Sequence, residues 1–115
     1  MTVHIKRIYE PAVEGDGIRI LVDRLWPRGV SKNDAHIDFW LKDIAPSAEL
    51  RRWFEHDPNK WNEFRRRYLE ELERNSKTVD ELREKIGQST ATLLYGAKDV
   101  EHNHAIVLMD FITRQ

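Results

Sequence analysis

The chain has 115 residues, 40% of them hydrophobic and 34% charged, with four Trp and four Phe. That composition supports one packed domain and argues against disorder. The absence of Cys excludes disulfides, thiolate catalysis and cysteine-ligated metal centres. A net charge of −1 is spread evenly: residues 1–45 and 47–74 each carry equal numbers of cations and anions, so no basic block marks a nucleic-acid binder.

Residues 3–8, Val-His-Ile-Lys-Arg-Ile, alternate apolar with polar and predict a strand. Residues 9–17, with Pro11, Gly15 and Gly17, predict a loop. Residues 18–23 are β-branched and largely apolar, the signature of a buried strand. Pro27 and Gly29 end that pattern, and Ile37, Phe39 and Leu41 suggest a third strand.

The middle of the chain reads as helical. Ser47 is placed to cap a helix running to about His56, with Leu50, Trp53 and Phe54 inward. Asp57-Pro58 supplies a cap and a proline for the next helix, whose stripe is Trp61, Phe64, Tyr68, Leu69 and Leu72. Glu63–Arg67 and Glu70–Arg74 are favourable pairs on its outer face. Thr78-Val-Asp-Glu81 matches a capping box for a third helix that Gly87 would end. Thr90–Tyr95 is the clearest strand. After loop 96–99, with Asp99 as the expected cap, a last helix carries Ala105, Leu108, Met109 and Ile112.

This order predicts a single α/β domain over residues 1–115, with a parallel or mixed sheet of about three to five strands and about four to five helices. Residues 3–8 and 90–95 are expected as neighbouring parallel strands in the sheet interior. The longest unbroken apolar run, Ala105–Met109, is too short to span a bilayer. Lys6, Arg7, Glu10 and Glu14 leave no apolar leader in the first fifteen residues. A cytoplasmic protein without membrane contact is therefore expected; nothing in the sequence sets an oligomeric state.

Three polar clusters stand out. In the first, Gly96, Lys98, Asp99, His102 and Asn103 follow a strand, where open α/β sheets bind ligands and a helix N-terminus offers free N–H groups. Asp99 as a plain cap and His102 as a solvated side chain are the competing structural roles. In the second, Asp23-Arg-Leu-Trp-Pro-Arg-Gly29, Arg24 and Arg28 are suited to bidentate phosphate or carboxylate contacts and Trp26 to stacking. The alternative has Arg24 paired with Asp99 or Glu101 and Trp26 in the core. In the third, His56-Asp57 lies between helices, where His56 is either an acid–base group or the end of a helix. Lys42 is a further lysine for the same pocket.

No Gly-x-Ser-x-Gly, P-loop or His-Glu-x-x-His motif is present. His102 and His104 would diverge by about 200° on a regular helix, so no metal or other cofactor is expected. The residues thus suggest a pocket for a small anionic, phosphate- or nucleotide-like ligand. Arg24, Trp26, Arg28, Lys42, Gly96, Lys98 and Asn103 are its binding candidates, and His56, Asp99 and His102 are the catalytic candidates if the protein is an enzyme. Binding without catalysis fits equally, and a nucleic-acid-binding regulator or a protein-interaction module are the alternatives.

Several long blocks occur in order between about residues 3 and 112. They are Asp16-Gly-x-Arg19, Leu21-Val-Asp-Arg-Leu-Trp-Pro-Arg-Gly29, Trp40-Leu-Lys-Asp-Ile-Ala-Pro-Ser47, Leu50-Arg-x-Trp-Phe-x-His-Asp-Pro58, Trp61-x-x-Phe-x-x-Arg-Tyr68 and Leu93-Leu-Tyr-x-Ala-Lys-Asp-x-x-His-Asn-x-Ala105. In them the chain resembles the YeaO-like group of a domain family of uncharacterised function. The resemblance implies a compact α/β domain, mostly bacterial and archaeal, with no established activity. Such proteins are sometimes labelled MarR-like regulators, but no recognition helix or basic face of a winged helix is evident here.

Overall fold

The computed structural model describes residues 1–114. Among them four strands form one sheet: β1 (Thr2–Arg7), β2 (Ile18–Leu21), β3 (Phe39–Trp40) and β4 (Thr90–Tyr95). Their order is β1-β4-β2-β3 and every neighbouring pair is parallel. The helices are α1 (Lys32–Ala35), α2 (Ala48–Phe54), α3 (Trp61–Arg74), α4 (Ser76–Ile86) and α5 (His104–Thr113). The chain therefore forms an α/β domain, as the alternation of patterns predicts. None of the described helices is long and apolar enough to cross a membrane.

β1 and β4 pair in parallel with Ile5 beside Leu93, the expected partnership. The expectation that both lie inside the sheet is corrected: β4 is interior, whereas β1 is an edge. The patterns explain the difference. Residues 91–95 are buried without interruption, as a strand covered on both faces requires. β1 instead alternates the more buried Val3 and Ile5 with the exposed Thr2 and His4.

The two sheet faces carry unequal cores. Ile20, Val22 and Leu93 join Leu50, Phe54, Phe64, Tyr68, Leu82 and Leu108 in the main core beneath α2–α5. Leu21 and Leu94 face the other way and meet Ile8, Ala35 and the part-buried Trp26 and Ile37 in a smaller cluster. The segment from 26 to 37, including α1 capped by the Ser31 hydroxyl, thus covers the second face.

Several predicted boundaries move. The third strand shrinks from 37–41 to Phe39–Trp40 on the exposed edge. The Ser47 hydroxyl accepts the Leu50 amide at 3.1 Å, as expected, but α2 stops at Phe54 because Glu55 and His56 take positive φ angles of 48° and 56°. Asp57 caps a short 3-10 turn, Pro58–Lys60, that leads into α3. The Glu63–Arg67 pair forms at 2.8 Å, while Glu70 meets Arg66 rather than Arg74. α4 begins at Ser76 without a side-chain cap, ahead of the Thr78 box, since the chain turns directly out of α3 at Asn75. Gly87 ends α4 with φ 56°, its amide donating to Arg83.

The last helix begins at His104 instead of near Asp99. Asn103 is its cap, and its side-chain oxygen accepts the Ile106 amide at 3.2 Å. Asp99 instead accepts the Glu101 and His102 amides, closing a turn before the helix. The helical angle between His102 and His104 consequently does not apply, because His102 precedes the helix.

Beside the start of β2, Asp16 and Arg19 form a buried pair. Arg19 also donates to the carbonyls of Ala35 and His36, and Lys6 closes on Asp16 at 3.1 Å. Burial works to raise the Asp16 carboxyl, but the Val13 amide and the Lys6 and Arg19 cations outweigh it and hold it below its ordinary value. This network is structural: it ties the loop before β2 to β1, and through the Asp16 carbonyl to the Thr92 hydroxyl on β4.

Candidate functional site

Parallel β2 and β4 end side by side, and the segments that follow them, 22–28 and 96–104, turn over the same sheet edge. Between them and α2 lies a cavity of about 380 Å³, within the size range of small-molecule sites. Its walls include Asp23, Arg24, Trp26 and Arg28 after β2, and Arg51, Phe54 and His56 on and after α2. Gly96, His102, Asn103 and His104 after β4 complete it, with Tyr9 and Phe64 beside them. A roomier groove of about 500 Å³ runs along α2 and α3. Its Arg66 and Arg67 are already held by Glu63 and Glu70, and its Arg74, in no ion pair among the described residues, shares the groove with Glu49, Glu70 and Glu71, a mixed-charge solvated face.

Of the residues singled out from sequence, Arg24, Trp26, Arg28, His56, Gly96, His102 and Asn103 line the cavity. Lys42, Lys98 and Asp99 do not. Lys42 lies over the Trp40 ring, 5.3 Å from its centroid, and Lys98 is exposed. Arg24 pairs with Asp43 at 2.9 Å, not with Asp99 or Glu101. Among the described residues neither Arg28 nor Arg51 is in an ion pair.

The cavity floor is Asp23, a residue that sequence reasoning left in the background. Its Oδ2 accepts the Gly96 amide at 2.9 Å. Its Oδ1 is buried and accepts no hydrogen bond. His104 Nε2 stands 3.3 Å from that oxygen but is directed to the Val22 carbonyl at 3.0 Å. Burial raises the Asp23 carboxyl, opposed by His104, the Gly96 amide, Arg51 and His56. Burial likewise lowers His104, opposed by Asp23 and the Val22 carbonyl.

The surrounding groups are held by ordinary structural contacts. Arg7 donates to the Ala97 carbonyl at 2.8 Å and so anchors the loop after β4. The Trp40 indole donates to the Asp23 carbonyl at 2.8 Å and meets Trp26 edge to face. Trp26 donates to Val30, and the Tyr9 hydroxyl donates to the Arg28 carbonyl. Asn103 is 2% exposed, donates to the Asp99 carbonyl and caps α5, so both its polar atoms are engaged. Of the amides in loop 96–99 and the turn after Asp99, where free donors were expected, Gly96 is taken by Asp23 and Glu101 and His102 by Asp99.

His102 Nδ1 donates to Asp99 Oδ2 at 3.0 Å, and its ring meets Trp61 edge to face. The Glu101 amide is the largest influence holding Asp99 below its ordinary range, with His102 adding to it. Among the described residues no three His, Cys, Asp or Glu side chains gather as a metal site would need.

Tyr9, Asp23, Arg51 and His104 are polar lining residues that were not among the predicted site residues. Asp23 carried a usable signal: it is the polar residue just past the carboxyl end of an apolar strand. Arg51 carried only its place in the Leu50–Pro58 block.

The cavity contains acceptors, cations and imidazoles, but no Ser, Thr, Cys or Lys among its lining residues. Its carboxylate, guanidiniums and imidazoles are hydrogen-bonding groups, and the imidazoles and the carboxylate are of the types that carry protons.

Comparison with known proteins places the chain in a family. The chain is 45% identical over 112 residues to "Uncharacterized protein YeaO" of Escherichia coli, covering 97% of both chains. It is 43% identical over 110 residues to "Uncharacterized protein Rv3073c" of Mycobacterium tuberculosis, covering 96% of this chain and 92% of the relative. The same identity relates it to "Uncharacterized protein Mb3100c" of Mycobacterium bovis. No solved structure matches it. Residues 2–115 match the profile described as "Inactive DUF488-N3 subclade", and the chain belongs to that family.

Proposed function

We propose that the protein binds a small anionic, phosphate- or nucleotide-like ligand in the cavity after β2 and β4, without catalysing a reaction on it. One observation carries this reading: Arg28 and Arg51 line the same cavity, and neither is in an ion pair among the described residues. Guanidiniums without a carboxylate partner beside a concave, partly aromatic wall suit a phosphate or carboxylate; Arg51 spends only its Nε–H, on the Pro46 carbonyl at 3.2 Å. Arg24 can join them by leaving its exposed pair with Asp43, since such surface pairs contribute little.

The reading without catalysis is supported by the family's description as inactive. His56 and His102 then contribute as hydrogen-bonding groups at the wall. Asp99 acts only through His102, which it orients.

The test is a nuclear magnetic resonance titration with inorganic phosphate, pyrophosphate and nucleoside monophosphates. Saturable shifts at Arg28, Arg51, His56 and Gly96, with Arg66 and Arg67 unmoved, are expected. Shifts confined to the α3 arginines, or no saturable shift, contradict the reading.

A further inference from the structure

The turn that ends α2 is strained. The Asp57 amide donates to the Phe54 carbonyl at 3.0 Å across Glu55 and His56, whose φ angles are 48° and 56°. A turn with two left-handed central residues strongly favours Gly, Asn or Asp, and a helix needs only one left-handed residue to stop. Here both positions carry larger side chains. Neighbouring contacts hold the strain in place. The Glu55 amide donates to the Arg51 carbonyl at 3.1 Å, Lys60 Nζ donates to the Trp53 carbonyl at 2.8 Å, and Asp57 caps the next turn. Strain maintained in this way gathers at ligand sites.

Of the two strained residues, His56 lines the cavity and Glu55, which is exposed, does not. The His56 ring lies 6.2 Å from that of Phe54 on the same wall. Arg51 on α2 and Arg24 and Arg28 after β2 share this cavity with it, and its charge acts on Asp23 and His104. Of its chain neighbours, Glu55 is in no ion pair among the described residues, and Asp57 accepts the Asn59 amide. The other two imidazoles at the cavity, His102 and His104, stand against Asp99 and Asp23, whereas His56 is in no ion pair among the described residues.

Resting on the anion-pocket reading, we propose that His56 is the pH-dependent cation of that pocket: the strained turn holds its imidazole at the wall, where the protonated ring joins Arg28 and Arg51 on the bound anion. Imidazoles change charge between about pH 5 and 8, while guanidiniums keep theirs. Affinity for an anion therefore rises as pH falls, and Glu55 shares the strain without the contact.

The experiment titrates inorganic sulfate, whose charge is constant over this range, into the wild type, Glu55→Gly and His56→Gly. Binding is followed by nuclear magnetic resonance at about pH 8 and about pH 6, with melting temperatures alongside. Both variants should melt higher, because the left-handed cost relieved exceeds the freedom that Gly adds to the unfolded chain. The wild type and Glu55→Gly should bind sulfate about fivefold or more tighter at the lower pH, the scale of one charge-assisted hydrogen bond. His56→Gly should lose that gain.

A pH gain that persists in His56→Gly belongs to His102, His104 or Asp23 and overturns the role of His56, as does equal binding by that variant; the anion pocket stands in both cases. Lower melting of both variants overturns the strain on which the proposal rests. No saturable binding by the wild type at either pH overturns the pocket and His56 together. If His56→Gly does not fold, His56→Asn, which tolerates the left-handed angle and carries no charge, decides the matter.

Discussion

Asp23 and Gly96 clasp the ends of β2 and β4 through a single hydrogen bond of 2.9 Å between a carboxylate oxygen and a backbone amide. A side chain at position 96 would press on that clasp: a Cβ built there stands 3.0 Å from Asp23 Oδ2 and 3.7 Å from Pro27. Asp23→Ala should therefore cost about 1–3 kcal/mol by stranding the amide, whereas Asp23→Asn, which retains an acceptor, should cost less. Urea unfolding of both variants checks the ordering; equal losses would show that the clasp does not hold the two strands' ends.

His104 should remain neutral to below its ordinary 6.5. Burial is the leading influence on it, Arg51 and His56 act in the same direction, and Asp23 and the Val22 carbonyl only partly oppose them. Its hydrogen bond to Val22 selects the tautomer with the proton on Nε2. Because its folded pKa lies below the ordinary 6.5, the unfolded chain takes up the proton first. The stability linked to this group is full above about that pH and falls as pH drops toward the folded value. Ring nitrogen shifts followed from pH 8 downward should keep the Nε2–H pattern below 6.5; a midpoint at or above that value contradicts the assignment.

Asp16 governs acid sensitivity at the other end of β2. Its depressed carboxyl contributes stability above its unfolded value of 3.8, and that contribution disappears as pH falls through the lower folded value. Asp16→Asn should cost about 1–3 kcal/mol at neutral pH, because it weakens charge-assisted bonds to the buried Arg19 and to Lys6. The gap between wild type and variant should narrow as pH drops below 4. Denaturant unfolding at several pH values measures it, and a gap independent of pH would contradict the network.

Tyr68 hangs α3 on the 3-10 turn Lys42–Ile44: its buried hydroxyl donates to the Ile44 carbonyl at 2.7 Å. Tyr68→Phe keeps the ring packing and strands that carbonyl, for an expected loss of about 1–3 kcal/mol. Burial drives the phenol well above its ordinary 10.0, so alkaline ionisation of Tyr68 should require unfolding. A free Tyr68 titration in the folded protein would contradict its burial.

Much of the architecture was legible because it rests on local rules. The largely apolar pattern of β4, the Ser47 and Asp57 caps, the stripe of α3 and the Gly87 stop each depend on a few adjacent residues. The misplacements arose where several residues could perform one local task. Asp99 and Asn103 are both suitable caps, and only the packing of the preceding turn decides that Asn103 begins α5. β1 resembled an interior strand because pairing order is a long-range property, although its alternation already matched an edge.

The candidate site was legible in its clusters but not in its chemistry. Placing 24–28 and 96–103 after strands brought both to one sheet edge. What no local pattern conveyed was that Lys98 faces solvent, that Arg24 finds Asp43, and that one buried oxygen of Asp23 accepts no hydrogen bond. These outcomes depend on the trajectory of loops crossing each other, which spacing along the chain does not determine.

The central claim is that the cavity beside Arg28 and Arg51 holds an anion. Titration calorimetry with AMP on the wild type, Arg28→Ala and Lys98→Ala tests it most directly, since both variants remove one exposed cation but only Arg28 lines the cavity. The account predicts binding by the wild type, a loss of about tenfold or more in Arg28→Ala and little change in Lys98→Ala, with all three melting alike. No binding by the wild type, or equal losses in the two variants, would contradict it.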